Sequence, residues 1–321
     1  MNILIDVDQL QAEGVLTPEL AARLRAAAKR QTGAAALNAL LGFGAIAVAI
    51  GVCFFAQSIA IAAALGLALF IAGAAARALG AAAWEKLAGV GMVTGALIFS
   101  GALAFLINRP TEGSLLIALV LLGAGLTARS RLLAALTPLA LAGAIGGSTG
   151  YWHACYEIAI REPTLTIVLF SVLGILAFAA SKKLPGDFAA LALVFARMSA
   201  ILVNFGFWIG SLWGDTPGQL WRDSQDWAHP SIAPTVFVVG WAIVLLAGGA
   251  WGALSGRRFL VNTAVVFGGI HFYTQLFEYL GPDPLALIIA GAATIALGLG
   301  LWSYNRKSLA PGTAGVPPAL S

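Results

Sequence analysis

Charged residues are scarce in this sequence. Only 10% of its 321 residues are Asp, Glu, Lys or Arg, whereas 60% are hydrophobic. Soluble domains carry roughly 25% charged residues, and a soluble core of this size would need a solvated surface that so few charges cannot supply. The shortage excludes an ordinary soluble protein and makes the lipid bilayer the solvent for most of the chain.

Cysteine and histidine are also rare. The two cysteines, Cys53 and Cys155, exclude a disulfide framework and a cysteine-based metal site. The three histidines are scattered without paired metal spacing, so we predict no metal and no cofactor. Cys53 lies near the outer end of an apolar run and Cys155 in an outer loop. Both can therefore face an oxidising compartment, and the sequence allows either a disulfide between them or two unpaired thiols.

Enzyme motifs are absent from the sequence. It contains no glycine–serine nucleophile motif with a matching histidine, no pair of intramembrane aspartates, no HExxH and no phosphate loop. We therefore predict that the protein is not an enzyme. The net charge of +4 comes from basic residues in short loops between apolar runs, which does not indicate nucleic-acid binding.

Ten long apolar runs dominate the chain. They lie near 34–55, 59–79, 87–107, 113–128, 132–148, 164–180, 188–212, 231–253, 259–280 and 284–304. Most are long enough to cross a hydrocarbon core of ~30 Å at ~1.5 Å per residue. The sequence therefore predicts an all-α, polytopic transmembrane helix bundle of about ten spans over 34–307.

The basic residues alternate between the two ends of these runs. With the N-terminus inside, the cytoplasmic segments hold Arg23, Arg25, Lys29, Arg30, Arg77, Lys86, Arg129, Arg131, Lys182, Lys183, Arg257, Arg258, Arg306 and Lys307. The outer segments hold only Arg109, Arg161 and Arg222. Lys and Arg concentrate in cytoplasmic loops of membrane proteins, so this asymmetry predicts that both termini are cytoplasmic.

The segments outside the spans have their own patterns. Residues 1–33 are polar, and Thr17-Pro18-Glu19 is a typical helix start, so we predict a short cytosolic helical hairpin that either fixes orientation or docks a protein partner. The proline-containing tail 308–321 is predicted to be disordered. The outer segments 151–160 and 216–227 each place apolar residues on one helical face, which predicts short surface helices or, alternatively, ordinary interfacial caps.

A few polar residues lie inside the predicted spans. Arg197 is about ten residues into the seventh span, ~15 Å deep, and Asn204 follows seven residues later on the same face. In the ninth span, His271, Gln275 and Glu278 share one face at i, i+4 and i+7. Such residues are costly in lipid and mark functional sites, which predicts a polar binding pocket between these two spans. Hydrogen bonding that joins the two helices is the alternative.

Both ends of the chain resemble one bacterial family. The opening Glu13-Gly14-Val15-Leu16-Thr17-Pro18-Glu19 and the C-terminal hairpin, from Arg257-Arg258 through His271-Phe272-Tyr273-Thr274 to Trp302–Arg306, are similar to predicted membrane proteins of the family called domain of unknown function 2157. The resemblance implies a bacterial inner-membrane protein. It supplies no activity, substrate or site residue.

Two function classes remain open at this point. Ten spans with both ends inside can divide into five plus five, 34–148 and 164–304, and an odd-numbered repeat inverts its second copy. That layout is similar to small-solute transporters of the drug/metabolite type, although the two halves show no sequence similarity. The alternative is a scaffold or accessory protein of the bacterial envelope.

Overall fold

The computed structural model describes residues 17–23, 58–79, 85–107, 109–152, 155–218, 231–281 and 283–307, together with Gln11 and isolated positions between 40 and 55. The chain divides into two compact units, which are treated separately below. The first unit is Ala35–Gly240, and the second combines Trp241–Ser321 with Met1–Ala34. The boundary falls within one helix.

The described chain is almost entirely helical. Its elements in order are α1 (Ile59–Ala78), α2 (Glu85–Leu106), α3 (Pro110–Ala128), α4 (Arg131–Ala144), β1 (Gly147–Trp152), β2 (Cys155–Ile160), α5 (Pro163–Ser181), α6 (Gly186–Trp213), α7 (Pro234–Leu254), α8 (Arg258–Leu280) and α9 (Pro284–Lys307). Each predicted apolar run from residue 59 onwards corresponds to one of these helices. The all-α membrane fold class is therefore confirmed in outline.

Six helices are long and apolar enough to cross a membrane: α1, α2, α3, α5, α6 and α7. The helix α4 is shorter, and α8 carries several polar side chains along its length. The predicted first span, 34–55, lies largely outside the described residues. The count of ten spans therefore stays a prediction.

Proline and hydroxyl residues set where the helices begin. Proline is the first residue of α3, α5, α7 and α9, where its missing N–H leaves no extra backbone group unpaired and its fixed φ suits the helix. The Ser130 side chain accepts from the Leu133 N–H and caps α4. Thr17 caps the described helical residues 18–23 in the same way, through the Leu20 N–H, which confirms that predicted helix start.

Glycine allows α1 and α2 to pack with their backbones in contact. A Cβ atom on Gly95 would lie 2.5 Å from the Phe70 nitrogen and 2.6 Å from the Gly66 oxygen. One on Gly73 would lie 2.7 Å from the Ala88 oxygen. Close approach through small residues is a common way for helices to associate in lipid. The spacing Gly91-x-x-x-Gly95 is typical of close helix contact; Gly95 makes that contact, whereas Gly91 has only ordinary contacts at 3.8 Å.

The helices α5 and α6 form the second packed layer of the first unit, with α4 against α6. The buried side chains of Ala142, Phe170, Leu202 and Val203 form a shared core cluster. Gly210 of α6 approaches the ring of Phe237 in α7 so closely that a Cβ atom would lie 2.5 Å from it. The core cluster thus joins α4, α5 and α6, and the Gly210 contact joins α6 to α7.

A β-hairpin replaces one of the predicted surface helices. β1 and β2 pair antiparallel, from Gly147 opposite Ile160 to Trp152 opposite Cys155. The prediction of a helix over 151–160 was therefore wrong. Glycines at 146, 147 and 150 disfavour a helix, and the β-branched and aromatic residues of this segment favour strands.

The second unit contains the C-terminal part of α7 together with α8 and α9. Gly252 faces the first turn of α8, where a Cβ atom would lie 2.8 Å from Leu260 Cβ. Gly248, which forms a Gly-x-x-x-Gly spacing with Gly252, has no neighbour within 4 Å. The helices α8 and α9 pack on each other as the predicted C-terminal hairpin requires.

Several predictions lie outside the described residues. These are most of the N-terminal hairpin 1–33, the tail 308–321, most of the segment 216–227 and Cys53. The pairing of Cys53 with Cys155 therefore stays a prediction. The compact units do not coincide with the predicted halves 34–148 and 164–304, whose inverted-repeat relationship also stays a prediction.

Candidate functional site

Two polar side chains of α8 carry buried atoms that have no hydrogen-bond partner among the described residues. His271 Nδ1 and Gln275 Nε2 are both inaccessible to solvent, and no described residue forms a hydrogen bond with either. The two residues are one helical turn apart on the same face. We refer to His271 and Gln275 as the polar pair. Glu278, predicted to belong to the same face, is exposed near the end of the helix.

An aromatic wall, the ring of Trp241, packs against His271 of the polar pair. Trp241 of α7 is fully buried. The centroids of the Trp241 and His271 rings are 4.8 Å apart at an interplanar angle of 68°, an edge-to-face contact. Phe267, one turn before His271, packs on the same indole with a centroid distance of 6.5 Å. The imidazole is therefore positioned by ring packing, while its Nδ1 has no partner in the part of the chain that the structure describes.

This arrangement suits the binding of a small polar group. The Gln275 amide nitrogen only donates hydrogen bonds, whereas a histidine Nδ1 donates or accepts according to its tautomer. An unpaired buried polar group costs about 1–3 kcal/mol, and the penalty persists in hydrocarbon, where water cannot relieve it. A bound solute or water with an acceptor for Gln275 would relieve that cost.

The two predicted site residues of α6 differ from each other. Asn204 is buried and donates from Nδ2 to the Ala200 carbonyl at 2.8 Å. Arg197 is exposed, although both were predicted on one face. They belong to the first unit and the polar pair to the second. A contact of Arg197 with His271 or Gln275, and a pocket formed by all five residues, therefore stay predictions.

A second polar site lies where α5 begins, and sequence reasoning missed it. Glu162 and Asp215 are 1% and 4% exposed. Asp215 Oδ2 accepts from the Thr164 N–H of α5 at 2.8 Å, and Glu162 Oε2 accepts from the Gly218 N–H at 2.9 Å. Each carboxylate thus binds the backbone of the other's segment. We refer to Glu162 and Asp215 as the acidic pair.

The segment before α7 holds Asp215 from the other side. The backbones of Asp215 and Ile232 exchange two hydrogen bonds, at 3.0 and 2.8 Å. The Ser231 hydroxyl also donates to the Asp215 carbonyl at 3.3 Å. Burial raises the pKa of Asp215 above its usual value, and repulsion from Glu162 adds to the rise, whereas hydrogen bonds from Thr164 and from the Thr216 backbone oppose it.

The only sequence signals for the acidic pair were local. An acid directly before a helix-starting proline suggests a position near the N-cap of α5, and Asp215-Thr216-Pro217-Gly218 is a typical turn. Neither pattern indicates that the two carboxylates meet.

Among the described residues, no group of three or more His, Cys, Asp or Glu side chains is arranged to hold a metal ion. No protein-family model, no curated protein and no solved structure matches the chain.

Proposed function

We propose that this protein is a multi-pass transporter of a small polar solute in a bacterial inner membrane, and that the polar pair of α8 is part of its binding site. The observation that carries the proposal is the absence of described partners for His271 Nδ1 and Gln275 Nε2. Polar groups within membrane helices are retained where function needs them. The membership of the domain of unknown function 2157 family, suggested by both chain ends, is part of the proposal.

The alternative role of these residues is to hold helices together. That role requires each polar atom to find a partner on a neighbouring helix. Asn204 and Thr294 bond carbonyls of their own helices, so they are satisfied locally. The polar pair differs, since its two atoms are buried and unpartnered among the described residues. This difference favours a ligand-binding role over an accessory protein of the envelope.

The contacts within the first unit support the proposed alternation of spans. Arg77 Nη1 donates to the Ala128 carbonyl at 2.9 Å, and Arg129 pairs with Asp187 at 3.2 Å. All four residues are at predicted cytoplasmic ends. The two bonds of the acidic pair instead join segments predicted to be outside. Contacts between residues of the same predicted side are what antiparallel neighbouring spans require.

Reporter fusions test the topology. We expect a fusion after Ser321 to report a cytoplasmic C-terminus and a fusion at Asp223 to report the outer side, because the basic residues favour these sides. Paired phosphatase and fluorescent-protein reporters at each site measure both orientations independently. A periplasmic C-terminus would contradict the even number of spans.

Apolar substitution of the polar pair tests the function. We expect Gln275→Leu and His271→Leu to leave the melting temperature in detergent unchanged or raised, because each removes a buried polar atom that has no described partner. Uptake of radiolabelled amino acids and short carboxylates into proteoliposomes should fall in both variants. Thr294→Val, which removes a hydroxyl bonded within its own helix, is the matched control.

The two readouts separate the alternatives. A loss of stability in both variants, with Thr294→Val unaffected, would mean that the polar pair joins helices. Unchanged stability with unchanged uptake of a solute that the native protein transports would show that the pair takes no part in transport.

A further inference from the structure

The polar pair presents two hydrogen-bonding atoms close together on one helix. His271 Nδ1 and Gln275 Nε2 are inaccessible to solvent and have no hydrogen-bond partner among the described residues. Side chains four residues apart on a helix are neighbours, with about 5–6 Å between their Cβ atoms. One ligand group with two polar atoms can therefore bond both. The inference below rests on the proposed function, because it concerns what the same site binds.

The chemistry of the two atoms selects the ligand group. Gln275 Nε2 only donates, so the ligand must offer it an acceptor, whereas His271 Nδ1 donates or accepts according to the protonation of its ring. A carboxyl group has two oxygens on one carbon. One accepts from Gln275, and the other accepts from a protonated Nδ1 or, as a hydroxyl, donates to an unprotonated one. An ammonium group has no acceptor for Gln275.

The helices around the pair supply no charge to balance a carboxylate. No charged residue occurs in α7, and α9 has none before Arg306. The ring of α7 that contacts His271 is that of Trp241, which does not titrate. Arg258, the first residue of α8, is about 20 Å from His271 along the helix axis. An uncompensated anion is costly in such surroundings, so a carboxylate needs a positive charge that enters with it.

The other titratable groups of these helices do not supply that charge. Glu278 is exposed, three residues beyond Gln275, and its negative charge opposes an anion at the pair. Tyr273 lies on another face of α8, where its ring packs on Phe277. Between the end turns of α7 and α9 no side chain titrates. The proton that neutralises the ligand is therefore shared between its carboxylate and His271.

We propose that the polar pair binds the carboxyl group of a small monocarboxylic acid as a carboxylate together with one proton, so that the bound group is electrically neutral. The proton comes from the water on the side where the solute enters and leaves with the solute on the other side. While bound, it lies between one carboxylate oxygen and His271 Nδ1, and Gln275 Nε2 donates to the second oxygen. A second carboxylate on the solute would be uncompensated, which limits the class to monocarboxylic acids.

Binding of radiolabelled propionate to the full-length protein in detergent tests the proposal. We expect the dissociation constant to rise about tenfold from about pH 7 to about pH 8, because one proton is bound with each carboxylate. Propionamide is the matched competitor, since it carries a carbonyl for Gln275 and an N–H for Nδ1 without taking up a proton. It should compete with an inhibition constant that is the same at both pH values. Propan-1-ol, with a single oxygen, should compete much more weakly.

Variants locate the binding on the polar pair. His271→Leu and Gln275→Leu should each weaken propionate binding at least tenfold, whereas Thr294→Val, which alters a hydroxyl bonded within α9, should bind like the native protein. The comparison of the two pH values needs only the native protein, so it remains decisive if a leucine variant does not fold.

The outcomes also separate this proposal from the proposed function. A propionate dissociation constant that does not change with pH, or the absence of saturable propionate binding, would overturn the proposal. Uptake of another solute that depends on the polar pair would in that case leave the transporter function standing. Competition by propan-1-ol as strong as that by propionamide would show that the pair binds a single hydroxyl and would equally overturn the carboxyl assignment.

Discussion

Replacing Gly95 by leucine is expected to prevent the packing of α1 against α2 and to abolish the recovery of folded protein. A Cβ atom there would lie 2.5 Å from the Phe70 nitrogen and 2.6 Å from the Gly66 oxygen. Both neighbours are backbone atoms, so no side-chain rotation can relieve the overlap. Overpacking of a core costs about 1–3 kcal/mol and sometimes more, and here two helices must separate. Size-exclusion chromatography of a fluorescent fusion measures the folded yield.

Gly89→Leu is the matched control for Gly95→Leu. Gly89 lies in the same helix, and a Cβ atom there would meet nothing within 4 Å. We expect this variant to give a folded yield close to that of the native protein, since it has the same change in composition without the overlap. Equal yields from the two variants would show that α1 and α2 do not meet at Gly95.

The helices were predictable because lipid leaves the backbone few choices. A segment in hydrocarbon must satisfy its own hydrogen bonds, so a long apolar run predicts a helix without any knowledge of its neighbours. The short loop Ala128-Arg129-Ser130-Arg131 correctly separated α3 from α4. Helix contacts were less predictable. Small residues are so common, with 38 glycines alone, that a spacing such as Gly91-x-x-x-Gly95 is a weak signal. It does not indicate that Gly66 and Phe70 lie opposite Gly95.

The outer segments were where sequence reasoning failed. The alternation of aromatic and aliphatic residues over 151–160 fits a helical face as well as a strand, and only the nearby glycines argued for the hairpin found. The acidic pair had no signal at all beyond its local turns. Glu162 and Asp215 are separated by two complete helices, and their meeting depends on how α5 packs on α6.

The candidate site was predictable in part. The spacing of His271 and Gln275 on one face of α8 follows from helix geometry. The identity of the aromatic ring beside His271 does not, since α7 contains Phe237 and Trp251 as well as Trp241. Arg197 was expected to avoid the surface because of the cost of a charge in lipid, yet it is exposed on α6. Its partners depend on packing that the sequence does not encode locally.

Trp241→Ala is expected to destabilise the protein strongly and to free the His271 ring. The indole is fully buried and contacts the rings of both His271 and Phe267. In lipid the hydrophobic effect does not drive helices together, so the association of α7 with α8 depends on packing contacts such as these. Truncation of a buried Trp costs about 3–5 kcal/mol. Far-ultraviolet circular dichroism should show a melting temperature far below that of the native protein. The melting temperature of Trp241→Phe, which keeps a ring, should lie between those of the native protein and Trp241→Ala.

Trp213→Ala controls for the loss of a tryptophan as such. That side chain is 58% exposed at the end of α6, so its truncation should leave the melting temperature nearly unchanged. Trp241 positions the imidazole, so Trp241→Phe should reduce the rate of solute uptake even at temperatures where the variant stays folded. Trp213→Ala should change neither the uptake rate nor the melting temperature. If Trp241→Ala melts within the error of Trp213→Ala, Trp241 is not the packing anchor of α7 on α8, and the wall of the candidate site must lie elsewhere.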